Sequence, residues 1–229
     1  MTDSAVLDTP RKSYNHPCLI ARALDVLGDR WTLLILRDLM SGLQRYGDIL
    51  NSCEGISPNL LSSRLKRLEA DELVERHYFK GLPPRVEYTL SEKGWAVRPV
   101  LLSLIEWSTS WLHSAIGPDD VGEHFSADFA VRVIPTFSFD PERANNLAAT
   151  MTVEISDCED GIGNCWSFDV HDGHIHPRRQ AAEGADVHLK TDTAGFFRFV
   201  RCEADPRDCG ELTGDLAAAA AIQSCFQHS

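Results

Sequence analysis

Asn59, Ser62, Ser63 and Lys66 fall on one side of a helical wheel, and Leu61, Leu65 and Leu68 fall on the other. The apolar side would anchor such a helix in a core, leaving a face of short amide and hydroxyl groups with one cation. That chemistry suits base reading in a major groove. Asparagine can bond adenine twice, serine can meet several base edges, and short side chains let the helix sit deep. Arg64 and Arg67 lie on the flank, within reach of phosphates, where contacts give affinity and salt dependence but no sequence information. Lys80 and Arg85 bracket the turn Gly81-Leu82-Pro83-Pro84, from which cations can meet the backbone beside a groove. The competing expectation is a solvated helix face followed by an ordinary solvated hairpin.

The elements that must position these residues favour the first expectation. Ser57-Pro58-Asn59 is a helix start. Ser57 can accept from the open amides of the first turn, and Pro58 has no amide to lose at the first helical position. The helix should run to about Asp71. Before it, Ile20, Ala23, Leu24 and Leu27 form a stripe over His16–Leu27. Trp31, Leu34, Ile35 and Leu39 form another over Asp29–Met40, with Gly42 as its stop, and Tyr46–Cys53 is a short helix. After it, Val74–Phe79 and Arg85–Leu90 alternate as half-buried strands do. Glu92–Ser114 reads as one long apolar helix carrying Leu104, Trp107 and Trp111, with Pro99 as a kink or its true start. The three helices between Asp29 and Asp71, followed by a basic two-stranded hairpin, make the layout of a winged helix-turn-helix, so double-stranded DNA is the expected partner.

The net charge of −12 over 229 residues opposes that expectation until it is divided along the chain. Residues 11–100 hold 14 Lys+Arg and 11 Asp+Glu, whereas residues 101–229 hold 8 and 21. The acidity belongs to the C-terminal part, which points to two regions with different partners. Hydrophobic residues make up 43% of the chain, enough for buried cores, but no apolar run approaches the ~20 residues needed to span a bilayer. No basic leader precedes residue 10, so a cytoplasmic protein without a membrane partner is expected. Seven cysteines without a CxxC pair predict free thiols and no structural zinc. Cys18 stands near a helix start, with His16 and Arg22 close by. It is either a redox-sensing thiol or a small buried hydrophobe.

Gly117-Pro118-Asp119-Asp120 interrupts the pattern. The expected organisation is an arm at 1–16, mobile over its polar start, a DNA-binding and dimerisation domain at 17–116, a linker at 117–124 and a second domain at 125–229. The second domain has strand-like runs at Ala130–Ile134, Met151–Ile155, Cys165–Val170, Ile175–Pro177 and Val187–Thr191. Its helical runs are Pro141–Ala149, Thr193–Cys202 and Asp215–Phe226. It has neither a GxSxG nor a phosphate-binding loop, so no enzyme and no cofactor are expected. His174 and His176, with His171, Asp169 and Asp172 nearby, could share a strand face and hold a metal. The Asp172-Gly173 turn signal favours a plain hairpin with solvated flanks, and no metal site is expected.

Two resemblances then become specific. Cys18-Leu19-Ile20-Ala21-Arg22-Ala23-Leu24, Gly28-Asp29-Arg30-Trp31-Thr32-Leu33-Leu34, Arg45-Tyr46-Gly47-Asp48-Ile49, Gly55-Ile56-Ser57-Pro58-Asn59-Leu60-Leu61-Ser62-Ser63-Arg64-Leu65 and Pro84-Arg85-Val86-Glu87-Tyr88-Thr89-Leu90 resemble the HxlR family of bacterial winged-helix regulators over Cys18–Leu102. That resemblance implies a homodimer built from the first helix and the long helix after the wing. It also adds weight to a sensing role for Cys18. Trp166-Ser167-Phe168-Asp169-Val170, Ala185-Asp186-Val187-His188-Leu189, Phe196-Phe197 and Leu212-Thr213-Gly214-Asp215-Leu216 are similar to a sterol-carrier-protein-like domain over about Val131–Phe226. Such a domain implies an apolar tunnel for a hydrophobic small molecule, with Trp166, Phe168, Phe196, Phe197, Val200, Leu216 and Ile222 as candidate lining; plain core packing is their other reading. The expected fold class is therefore α+β: a winged helix-turn-helix with a long dimerisation helix, then an α+β domain with a mainly antiparallel sheet. The expected function is a DNA-binding regulator acting on an inverted repeat. A lipid carrier with a helical interaction module is the alternative.

Overall fold

In a computed structural model of the chain the described residues are 13–112, 117–118, 126–144, 146–157 and 164–226. The chain divides into two compact units, Met1–Leu112 and His113–Ser229. Residues 1–12 of the expected arm and 119–124 of the expected linker lie outside the described residues. The rest of the arm is tied down: Ser13 Oγ donates to Asp25 Oδ2 at 2.8 Å and the Tyr14 N–H to Asp25 Oδ1 at 2.8 Å.

The first unit runs α1 (Leu19–Leu27), α2 (Thr32–Met40), α3 (Tyr46–Ser52), α4 (Pro58–Ala70), β1 (Val74–Phe79), β2 (Arg85–Leu90), α5 (Glu92–Trp95) and α6 (Arg98–Trp111). Its core is made by Ile35, Leu36, Leu39 and Met40 from α2, Ile49 from α3, and Leu61, Leu65 and Leu68 from α4. β1 and β2 pair antiparallel from Val74↔Leu90 to Phe79↔Arg85. Arg45 bridges to Glu87, and the Tyr88 N–H donates to the Gln44 carbonyl at 2.8 Å, which ties the wing to the start of α3. The expected single helix Glu92–Ser114 is two helices, with the break at Ala96-Val97. Pro99 occupies the first turn of α6, where its missing N–H leaves no helical bond unmade.

The second unit contains α7 (Ala127–Ser138), β3 (Ala149–Ile155), β4 (Cys165–His171), β5 (His174–Arg178), β6 (Val187–Thr191), α8 (Thr193–Val200), β7 (Glu211–Gly214) and α9 (Leu216–Ser224). Its five strands lie in the order β5-β4-β3-β6-β7; β3 and β6 are parallel and the other pairs antiparallel. α7, α8 and α9 pack on one face of the sheet, where Ala130, Phe196, Phe199 and Ile222 meet Met151, Val153, Trp166, Phe168 and Leu189. Asp172 and Gly173 both have positive φ, 52° and 74°, which makes the expected β4–β5 turn of the type whose twist suits a hairpin.

Three expectations need correction. Ala130–Ile134 is helix, not strand: Ser126 caps α7 by accepting from the Phe129 N–H, and burial on nearly every side hides the helical period. Pro141–Ala149 is not helical among the described residues; Pro141–Ala144 is a turn, and Ala149 already pairs with Val170 in the sheet. β7 was not expected, because Glu211–Gly214 carries almost no apolar alternation. Among the described residues no helix is long and apolar enough to cross a membrane.

Candidate nucleic-acid interface

The polar face of α4 begins at its cap. Ser57 has extended backbone angles and its Oγ accepts from the Leu60 N–H at 3.3 Å. Leu61, Leu65 and Leu68 are buried, which turns Asn59 into solvent and leaves Ser62, Ser63 and Lys66 half-buried. Among the described residues the side chains of Asn59, Ser63 and Lys66 have no hydrogen-bond or ion-pair partner, so they are available to a ligand.

Ser62, Arg64 and Arg67 are engaged within the protein. Tyr46 Oη donates to the Pro58 carbonyl at 2.7 Å, and Ser62 Oγ donates to Tyr46 Oη at 3.3 Å. Tyr46 thus fastens the first turns of α4 to α3, and Ser62 helps to set the angle between them. Arg64 pairs with Asp29, and Arg67 Nη1 lies 3.6 Å from the same carboxylate. Asp29 stands just before α2, so these two guanidiniums hold the recognition helix against α2 rather than extending to the solvent side. The phosphate role expected of both therefore meets a competing partner, and Asp29 lies 35 residues from Arg64, beyond what a helical wheel can show.

The wing adds a second cationic surface. Lys80 and Arg85 are exposed, as is the apolar tip Leu82. Arg85 sits over the Phe79 ring at 4.5 Å and pairs with Glu87 at 3.0 Å. Arg45, which the sequence pattern did not single out, borders the same wing surface beside Tyr78, Lys80 and Arg85. Its signal was a single cation before a short helix, unreadable until β2 pairs with it.

Cys18 is exposed and directly precedes α1; its N–H donates to His16 Nδ1 at 3.1 Å. The buried-hydrophobe reading of Cys18 is therefore excluded within the described chain. Cys53 behaves oppositely: its thiol donates to Asp38 Oδ2 at 3.3 Å, and burial, reinforced by the Asp38 charge, pushes its pKa up to about 12.

In the second unit, Trp166, Phe168, Phe196, Phe197, Val200 and Ile222 are all within the core, with Phe168 stacked on Phe196 at 6.5 Å. Leu216 is 50% exposed in the first turn of α9, outside that cluster, so it is corrected as a lining candidate. His171 stacks on His176 with ring centroids 4.6 Å apart, and His174 lies at 6.2 Å from His176. Burial, then the neighbouring His171 and His174, push the His176 pKa down. Among the described residues no group of three or more His, Cys, Asp or Glu side chains is placed to hold a metal ion.

A helical triad, a polar recognition helix and a basic hairpin fastened to it define a DNA-binding winged helix-turn-helix. The HxlR-like helix-turn-helix profile matches residues 26–115. The chain is 36% identical over 97 residues to the HTH-type transcriptional regulator sll1512 of Synechocystis sp., covering 42% of this chain and 72% of that protein. It is 38% identical over 91 residues to the regulator YvaP of Bacillus subtilis, covering 40% and 84%. It is 41% identical over 86 residues to YodB of the same organism, covering 38% and 77%. The chain belongs to the HxlR-like helix-turn-helix family.

Proposed function

We propose that this protein regulates transcription as a homodimer on a short inverted repeat and that its second unit takes an apolar small molecule. It acts by binding rather than catalysis, and in the cytoplasm. The observation that carries the DNA reading is the open polar face of α4, with Asn59, Ser63 and Lys66 outward and the leucines behind them buried. Arg45, Lys80 and Arg85 supply backbone contacts beside it. The dimer is supported by apolar side chains that a domain of this size normally hides: Ile20 on α1 is 71% exposed and Trp111 on α6 is 77% exposed, with Leu19, Leu24, Leu104 and Trp107 also open. A two-fold pair would present its recognition helices to half-sites roughly 34–36 Å apart.

The ligand reading is supported by a sheet covered on one face by three helices around aromatic side chains, in keeping with the resemblance to sterol-carrier-like domains. A ligand changes operator affinity only if it binds the free and DNA-bound forms differently. Membership of a helix-turn-helix family disfavours the carrier alternative. The test is selection of genomic fragments by the purified protein, followed by gel shifts across a salt series. Sequence-specific binding that weakens with salt and with Asn59→Ala or Lys66→Ala is expected. Binding untouched by both substitutions would end this reading.

The exposure of Cys18 favours a second control. Oxidation of that thiol would act beside Leu19 and Ile20, within the proposed dimer face. Diamide should then alter the gel shift of the wild type and leave Cys18→Ser unchanged; no effect on the wild type removes the thiol from the scheme.

A further inference from the structure

The hydroxyl groups where α3 meets α4 form a chain with one direction. Tyr46 opens α3, and its Oη lies 2.7 Å from the Pro58 carbonyl in the first turn of α4. A carbonyl oxygen has no proton to give, so the single phenolic proton of Tyr46 goes to Pro58. Tyr46 Oη can then only accept from its other neighbour, Ser62 Oγ, at 3.3 Å. Ser62 must therefore supply the proton of that contact. The chain runs from Ser62 through Tyr46 to Pro58, and the backbone carbonyl at its end fixes the direction.

The consequence falls on the polar face of α4. A serine hydroxyl holds one donor and two acceptor lone pairs, which is why it can meet several base edges. With its proton turned inward to Tyr46, Ser62 keeps only lone pairs for whatever approaches from outside. The neighbouring serines differ. Ser63 has no side-chain partner among the described residues and keeps both roles. Ser57 Oγ accepts from the Leu60 N–H at 3.3 Å, so its own proton stays available. Ser62 is half-buried, which leaves its oxygen within reach of a ligand on that face. In a major groove the adenine N6 and cytosine N4 amino groups are donors, whereas guanine O6 and N7 and thymine O4 are acceptors.

We propose that Ser62 is a specificity-determining residue of one polarity. It takes a base that donates, adenine or cytosine on the contacted strand, and disfavours guanine and thymine; Tyr46 is the positioning residue that sets this polarity. The inference rests on the DNA reading proposed above and adds to it the class of base at one operator position. A guanine or thymine there sets lone pair against lone pair unless Ser62 gives up its contact with Tyr46. Losing one neutral hydrogen bond corresponds to about three- to tenfold in affinity, which is the scale of the expected discrimination.

Selection from a randomised operator library by the full-length wild type, Ser62→Ala, Tyr46→Phe and the double variant tests this. Ser62→Ala should flatten the preference at one position of each half-site, which marks where Ser62 reads. The wild type should hold adenine or cytosine there. Tyr46→Phe, which removes the acceptor, should admit guanine and thymine at that position and leave the others as they were. In the Ser62→Ala background, Tyr46→Phe should not alter that position further, as expected of two groups acting through one contact. Purine in place of adenine at the same position removes only the amino donor. It should cost the wild type about three- to tenfold in Kd and Ser62→Ala nothing, a readout that needs no Tyr46 variant. A wild type that selects guanine or thymine at the Ser62 position overturns the polarity. A Tyr46→Phe protein that changes every position alike, with or without Ser62, makes Tyr46 a helix anchor alone and overturns its assigned role. Unaltered preferences in Ser62→Ala overturn the base contact. Absence of any sequence preference in the wild type overturns the DNA reading itself, and this inference with it.

Discussion

Lys80 and Arg64 carry the same charge in opposite situations, and exchanging each for glutamine separates DNA contact from scaffold. Lys80 is exposed on the wing with no ion-pair partner among the described residues, whereas Arg64 is held by Asp29. In the proposed dimer, Lys80→Gln removes two phosphate contacts. Each contact contributes about −0.9 to the slope of log K against log salt, so the slope should become shallower by about 1.8. Between about 50 and 200 mM salt the variant should therefore lose roughly tenfold less affinity than the wild type. Its melting temperature should stay the same, since nothing in the protein is released. Arg64→Gln should do the reverse. The Arg64 side chain is 16% exposed and that of Asp29 44%, so solvent screening limits the pair to on the order of 1 kcal/mol. That corresponds to a fall of about 4–8 °C in the melting temperature of a unit this small, with the salt slope unchanged. Fluorescence anisotropy on a selected operator and thermal denaturation by circular dichroism measure the two quantities. If Arg64→Gln flattens the slope as Lys80→Gln does while melting as the wild type, Arg64 leaves Asp29 for phosphate, and the division between scaffold and contact is wrong.

Asn59→Ala should weaken operator binding by about 1–3 kcal/mol and relax selectivity at one position in each half-site, which binding to a mutated-operator library would read. Trp111→Glu should shift the protein from dimer to monomer in analytical ultracentrifugation, by placing a charge in the exposed apolar face of α6. Asp128→Asn should destabilise the second unit by about 3 kcal/mol, because Arg132 is left buried beside a neutral partner. Since the folded state holds the Asp128 carboxyl below its usual range, its contribution is complete at neutral pH and is lost as pH falls through that lowered value, so the variant and the wild type should converge in acid denaturation. The raised pKa of Cys53 acts at the other end. The folded state keeps that proton up to about 12, so stability of the first unit should fall as pH rises above the ordinary thiol range, and iodoacetamide at mildly alkaline pH should label Cys18 well before Cys53.

What could be read from the sequence was what repeats over a few residues. The bounds of β1 and β2, the Ser57 cap and the buried Leu61, Leu65 and Leu68 all follow from local period or local chemistry, and the structure carries each of them. Reading failed where burial is uniform or absent. α7 is covered on almost every side, so its apolar run has no polar face to mark a period of 3.6, and β7 has too little apolar pattern to mark any. It failed again wherever a side chain's role depends on a distant partner. Ser62 looks like a two-way base reader until Tyr46 takes its proton, and Arg64 looks like a phosphate contact until Asp29 closes on it. The same limit holds at Asp128. A helical wheel pairs Asp128 with Arg132 four residues on, but only the folded sheet brings Trp166 to the second oxygen of that carboxylate. Arg179, beyond the end of β5, approaches the same carboxylate at 3.6 Å. The surroundings of that carboxylate therefore draw on side chains up to 51 residues apart, and no single segment of the sequence contains them.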